Sequence, residues 1–252
     1  MGIHNIPIEL LLLMVEKLCI KDLSHFLLTC RRLWSLLTPY FHEIGVQDIG
    51  NLTALHWAAQ HGHATLAEIA IKSGADIDKP SQDQSGRAPM HLAAMNNHPA
   101  IIRLLVKNHA NISARDNSHC TPLHYATMCE PGVETIRVLL ELGAEMMCGN
   151  EFVDAPPFFA AQCGSVSCMK VFVDRGFDLT TRGLEGKNIL HHAFTRNVRQ
   201  EMVSYLLAKE EVKPLIKVRD SRGIAPLPNT GHTKYLMLQV YLGAFFGGDR
   251  ER

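Results

Sequence analysis

The chain has 252 residues, 46% of them apolar and 20% charged, with 25 basic residues against 25 acidic ones. This balance suits one large folded domain or two modest ones and argues against long disorder. A formal net charge of zero gives no global field to attract nucleic acid or anionic membrane, so neither is expected as a main partner.

The first segment, residues 1–47, reads as two or three short helices. Pro7 suits a helix start, and Leu10, Leu13, Met14 and Leu18 follow at helical spacing. Asp22 has the chemistry of an N-cap for a second helix, and Pro39 ends the last. The run from Ile6 to Cys19 is apolar, but it lacks a basic start and is broken by Pro7, Glu9, Glu16 and Lys17, unlike a signal core. No other run approaches the roughly 18 apolar residues a spanning helix needs. The last residues, Gly247 to Arg252, carry no cysteine for lipidation. Seven cysteines, an odd number with no CxxC, point to reduced thiols. The expectation is a soluble intracellular protein of the cytoplasm or nucleus, with no membrane association.

Within this segment the order Ile6-Pro7, Glu9-Leu10-Leu11, Asp22-Leu23 and Cys30-Arg31 resembles an F-box, with Ile6 in place of the usual Leu. The resemblance implies binding to the Skp adaptor of cullin–RING ubiquitin ligases through exposed apolar side chains. By that likeness Ile6, Pro7, Leu10, Leu11, Leu18, Leu23, Leu27 and Cys30 divide between adaptor contact and domain core, and the sequence does not divide them. The alternative is an amphipathic helical cap that shields the first of the units that follow. Against it, the segment is very apolar for a one-sided cap, and exposed apolar clusters in small domains usually mark a partner.

From residue 48 a short word recurs. Thr53-Ala54-Leu55-His56-Trp57-Ala58-Ala59 returns as Ala88-Pro89-Met90-His91-Leu92-Ala93-Ala94 and Thr121-Pro122-Leu123-His124-Tyr125-Ala126-Thr127. It decays to Ala155-Pro156-Pro157-Phe158-Phe159-Ala160-Ala161 and Asn188-Ile189-Leu190-His191-His192-Ala193. The fourth positions are 35, 33, 34 and 33 residues apart. A second word keeps phase: Ser73-Gly74-Ala75-Asp76-Ile77, Asn108-His109-Ala110-Asn111-Ile112, Leu142-Gly143-Ala144-Glu145-Met146 and Arg175-Gly176-Phe177-Asp178-Leu179. Pro at the second position of the first word suits the first turn of a helix, and the glycines of the second word suit a left-handed cap past a helix end. Asp83-Gln84-Ser85-Gly86 and Asp220-Ser221-Arg222-Gly223 have the composition of hairpin tips.

This pattern resembles the ankyrin repeat. It implies an all-α dominated repeat solenoid, a stack of helix-turn-helix and β-hairpin units beside the small N-terminal helical F-box-like domain. The units read as 48–82, 83–115, 116–149, 150–182 and 183–219. A truncated terminal unit spans 220–244, within a repeat region of 48–246, and a short polar tail occupies 247–252. The resemblance covers about four-fifths of the chain.

Fourteen histidines invite a metal or catalytic reading, but His56, His91, His124 and His191 share one repeat position, and the likeness assigns them to locking a turn. Cys163 and Cys168 lack paired histidines at zinc-finger spacing. No nucleophile elbow, phosphate loop, dinucleotide fingerprint or HExxH is present. No catalytic residue, metal ligand or cofactor is therefore expected.

The likeness places a target-binding surface on the hairpin tips and the ends of the first helices. By phase this surface holds Arg87, Cys120, Phe152 and Asp154 on the tips, and Met95, Asn96, Met128, Cys129, Gln162 and Cys163 at the helix ends. Its middle is rich in methionine and cysteine, which suits adaptable recognition; the alternative is that these side chains pack between repeats. The expected function is that of a substrate receptor, with the N-terminal segment holding the adaptor and the repeats holding a target protein. A stand-alone ankyrin scaffold or inhibitor is the alternative.

Overall fold

A computed structural model describes residues 48–49, 52–128, 132–149, 153–194 and 200–226. The chain divides into two compact units, Met1–Asn117 and Ser118–Arg252. The residues assigned above to the adaptor, Ile6, Pro7, Leu10, Leu11, Leu18, Leu23, Leu27 and Cys30, lie outside the described residues, as do Cys129 and Phe152.

Among the described residues the first unit starts with an antiparallel pair of strands, β1 (Asp48–Ile49) and β2 (Leu52–Thr53), in the register Asp48 to Thr53 and Ile49 to Leu52. Four helices follow: α1 (Ala54–His61), α2 (Ala64–Lys72), α3 (Pro89–Met95) and α4 (Pro99–Lys107). Each pair, α1 with α2 and α3 with α4, packs as a helical hairpin; α1 also packs on α3, and α2 on α4. Two rows of helices result.

The second unit repeats the plan with α5 (Pro122–Met128), α6 (Val133–Glu141), α7 (Pro156–Cys163), α8 (Val166–Asp174), α9 (Ile189–Ala193) and α10 (Gln200–Leu207). Short 3-10 turns cover Leu184–Gly186 and Lys213–Lys217. Here α5, α7 and α9 form one row, and α6, α8 and α10 the other.

The repeated alanines explain how near the first helices lie. Ala58, Ala59, Ala93, Ala94, Ala126, Ala160 and Ala161 are all buried, and each adds little thickness between neighbouring backbones. The large side chains of the core come from the third and fourth positions of the repeated word and from the second helices. Leu55, Met90, Leu123 and Phe158 are buried with Ile101, Ile102, Leu105, Ile136, Leu139 and Phe172. Gly74, Gly143 and Gly176 have φ of 86°, 96° and 91°, the left-handed region where a side chain is disfavoured, and each turns the chain out of a second helix.

Candidate functional site

Among the described residues, three hairpin tips are held by a histidine of the preceding repeat. Thr53, Ala88, Thr121 and Asn188 donate their backbone N–H to Nδ1 of His56, His91, His124 and His191 at 3.3, 3.0, 3.0 and 3.1 Å. A ring nitrogen that accepts carries no proton, so the other nitrogen is the donor. Nε2 of His56 accordingly donates to the Arg87 carbonyl at 3.0 Å, that of His124 to the Asp154 carbonyl at 2.8 Å, and that of His191 to the Ile224 carbonyl at 3.0 Å. His56, His91 and His124 are fully buried. Their ring nitrogens are thus engaged in architecture rather than offered to a metal, and among the described residues no cluster of three or more His, Cys, Asp or Glu is placed to hold one.

Tip aspartates fold the tips on themselves. Asp83 accepts the N–H groups of Ser85 and Gly86 at 2.9 and 3.2 Å and the hydroxyls of Ser81 and Ser85. The Ser85 and Ser81 hydroxyls hold its carboxyl down to about 2. Asp220 does the same at its own tip, accepting from Arg222 at 2.9 Å and Ile224 at 2.8 Å, and those N–H groups lower its pKa.

The junction at residues 153–192 departs from this scheme. The fourth position of the word is Phe158, which has no ring nitrogen, and the tip position equivalent to Asp83 and Asp220 is Gly183. Asp154, from the repeat before, supplies the acceptor that a tip aspartate would otherwise provide. Its Oδ1 accepts the Leu184 N–H at 2.6 Å, closing the tip across the repeat boundary. A Cβ on Gly183 would fall onto that same oxygen and lie 3.1 Å from Cε2 of Phe158, so glycine is needed for space. Its φ of −92° is open to any residue.

Behind Asp154 sits His192, whose side chain is 9% exposed and whose Nε2 lies 3.6 Å from Oδ2 of Asp154. That distance is too long for a hydrogen bond. Among the described residues the Nε2 atom has no hydrogen-bond partner. Burial lowers the His192 pKa and outweighs the attraction of Asp154, so the ring is neutral at pH 7. Phe158 packs on it with centroids 5.0 Å apart and meets Phe177 edge-on at 5.9 Å.

The positions assigned to target contact distribute unevenly. In the first unit Asn96 is exposed, while Arg87 and Met95 are half-buried. In the second, Met128 is 43% exposed and Gln162 is exposed; Cys163 is half-buried, and Asp154 keeps only 14% of its side-chain surface. The structure corrects the expectation of an exposed Cys120. It is only 7% exposed, in a buried run with Thr121, Pro122 and Leu123 at the entry to α5, where its weakly polar thiol packs as a small apolar group. His192, Gly183 and Leu184 were not singled out by the sequence as partners of Asp154. The available signal was the double loss of the consensus histidine at 158 and of the tip aspartate at 183.

Comparison with known proteins agrees with the repeat geometry. The family described as ankyrin repeats (3 copies) matches over residues 26–116 and 55–150. The human Ankyrin repeat and SOCS box protein 3 is 40% identical over 125 residues, covering 49% of this chain and 23% of that protein. The Drosophila melanogaster Transient receptor potential cation channel subfamily A member 1 is 25% identical over 211 residues, covering 80% of this chain and 18% of the channel. The Caenorhabditis elegans Ankyrin repeat and KH domain-containing protein mask-1 is 27% identical over 159 residues, 62% of this chain and 6% of that protein. The chain spans less than a quarter of the length of each of these relatives. Among the described residues no helix is long and apolar enough to cross a membrane. The chain carries ankyrin repeats, protein-interaction modules of the all-α repeat class.

Proposed function

We propose that the chain is a substrate receptor of an SCF-type cullin–RING ubiquitin ligase, with residues 1–47 holding the Skp adaptor and the repeats holding a protein to be ubiquitinated. The observation that carries the ligase half is the order Ile6-Pro7, Glu9-Leu10-Leu11, Asp22-Leu23 and Cys30-Arg31 ahead of the first repeat. A relative whose name joins ankyrin repeats to a SOCS box supports the idea that such repeats sit beside a second module. The receptor performs no chemistry of its own. It raises the effective concentration of the target near the catalytic subunits, which is worth orders of magnitude in rate without any new contact. Such a receptor works in the cytoplasm or nucleus. On the target side, Asn96 offers exposed surface in the first unit, where Arg87 and Met95 are half-buried, and Met128 and Gln162 offer it in the second, where Asp154 and Cys163 are half-buried.

A second reading has one observation in its favour: the ankyrin match begins at residue 26, inside the segment read as F-box-like. On that reading residues 1–47 cap the stack and the chain is a scaffold or inhibitor. Co-purification of the full chain with the Skp adaptor separates the two. The receptor reading expects the adaptor with wild type, and its loss in Leu10→Asp and in Pro7→Ala combined with Leu11→Asp. An unpaired charge forced into an apolar interface costs several kcal/mol, enough to remove most of a micromolar affinity of about 8 kcal/mol. Absence of the adaptor from the wild-type sample, with the repeats folded, would leave the scaffold reading.

A further inference from the structure

We propose that the tips at residues 182–187 and 219–224 of the second unit form a docking strip for an acidic protein segment that carries a large apolar residue. The proposal rests on the reading of the repeats as a target-binding surface and names the chemistry of what they bind.

Three observations converge. Residues 182–187 and 219–224 hold four cations, Arg182, Lys187, Arg219 and Arg222, against two carboxylates, Glu185 and Asp220. Both carboxylates are occupied internally. Glu185 pairs with Lys187 at 2.7 Å and with Arg222, which together hold its carboxyl down to about 2, and Asp220 accepts N–H groups of its own tip. Arg182 is exposed and has no carboxylate partner among the described residues. Arg219 is also exposed, and it donates to a neutral carbonyl, that of Gly223, at 2.6 Å, so its charge stands uncompensated. The strip therefore presents positive charge outward although the whole chain is neutral.

Second, a cleft of about 380 Å³ opens beside Arg182, walled by Met147, Val153, Phe158 and Leu184; two carboxylates also line it, Asp154, which accepts the Leu184 N–H, and Glu185, which is paired with Lys187 and Arg222. That is room for one or two large side chains. Third, the exposed large hydrophobic residues among those described are Met128, Met147 and Ile224, and two of the three stand at the cleft or on the tips. Met147, 42% exposed, lines the cleft, and Ile224, 55% exposed, stands on the far tip. The two tips are one surface: Ser221 donates its N–H to the Glu185 carbonyl at 2.8 Å, and Arg222 reaches the Glu185 carboxylate. Apolar side chains left in water beside uncompensated guanidinium groups match a segment in which an acidic residue neighbours a large apolar one. The apolar side chain enters the cleft, and the carboxylates lie along Arg182 and Arg219.

The test uses the full chain and a fluorescein-labelled peptide of repeated Asp-Leu-Glu-Phe units, read by fluorescence anisotropy. Three further probes accompany it: a Lys-Leu-Arg-Phe peptide, an Asp-Gly-Glu-Ser peptide and a single-stranded oligonucleotide. The acidic apolar peptide is expected to bind, with affinity falling as salt rises. Arg182→Glu with Arg219→Glu should weaken it at least tenfold at an unchanged melting temperature, as should Met147→Asp, whereas Lys72→Glu on α2 should leave it unchanged. No binding of the acidic apolar peptide, or binding insensitive to these variants, overturns the proposal. So does equal or tighter binding of the basic peptide, the Asp-Gly-Glu-Ser peptide or the oligonucleotide. Failure here is distinct from failure of the receptor reading, which is measured by adaptor co-purification and by target capture that depends on Met128.

Discussion

His124→Ala tests whether the repeat histidines are architectural. The ring is fully buried and makes three contacts: it accepts the Thr121 N–H at 3.0 Å, meets the Thr121 hydroxyl at 2.8 Å and donates to the Asp154 carbonyl at 2.8 Å. It also packs edge-on against Phe159, with centroids 5.2 Å apart. Alanine strands a backbone donor and a backbone acceptor, each worth roughly 1–3 kcal/mol when left unsatisfied. The Thr121 hydroxyl can rotate to another partner, so it adds little. The expected loss is about 2–6 kcal/mol. For a chain of this size that lowers the melting temperature by roughly 4–24 °C, read by far-UV circular dichroism alongside urea unfolding. A change below about 0.5 kcal/mol, the range of ordinary surface substitutions, would mean that the ring holds neither backbone group. An unchanged melt accompanied by altered bound metal would instead identify His124 as a ligand.

Gly183→Ala places a methyl group against Asp154 and Phe158 and should cost about 1–3 kcal/mol by overpacking, visible in the same melts; an unchanged melting temperature would show that the tip has room. Asp154→Asn keeps an oxygen for the Leu184 N–H and should be milder than Asp154→Ala, which removes it; equal losses would mean that the charge rather than the bond matters. His192 has a pKa lowered by burial, so the unfolded chain takes up its proton first as pH falls below the ordinary value of 6.5. Its contribution is therefore lost on acidification, and His192→Leu should flatten the fall in stability between neutral pH and mild acid; parallel curves for both proteins would contradict this. Met128→Glu should reduce target capture by about 2 kcal/mol or more while changing stability by less than about 0.5 kcal/mol, since the side chain is 43% exposed. A large fall in its melting temperature would show that it packs as core.

The periodic parts of the fold were legible because their physics is local. A helix start with Thr or Pro, a histidine three residues into it and a glycine past the second helix each act within a few residues, so the repeated words locate α1 to α9. The junction at Asp154 was not legible, because the group that closes the 183–187 tip comes from about thirty residues upstream. Reading it requires knowing that Asp154 and Leu184 are neighbours, which only the stacked repeats provide. Cys120 shows the same limit. Phase gives its place on a tip, but whether its thiol is buried depends on how the entry to α5 packs. Arg182 and Met147 escaped notice because their significance is collective: each is ordinary alone, and only the fold sets them on one cleft.

On the receptor proposal one chain joins an adaptor surface to a separate target surface. Purified Skp adaptor titrated into the full chain in a calorimeter, with wild type, Leu10→Asp and Met128→Glu, separates the two surfaces. Saturable binding of one adaptor per chain is expected for wild type and Met128→Glu, and none for Leu10→Asp at an unchanged melting temperature. No heat of binding with folded wild-type protein, or equal binding by Leu10→Asp, would contradict that proposal.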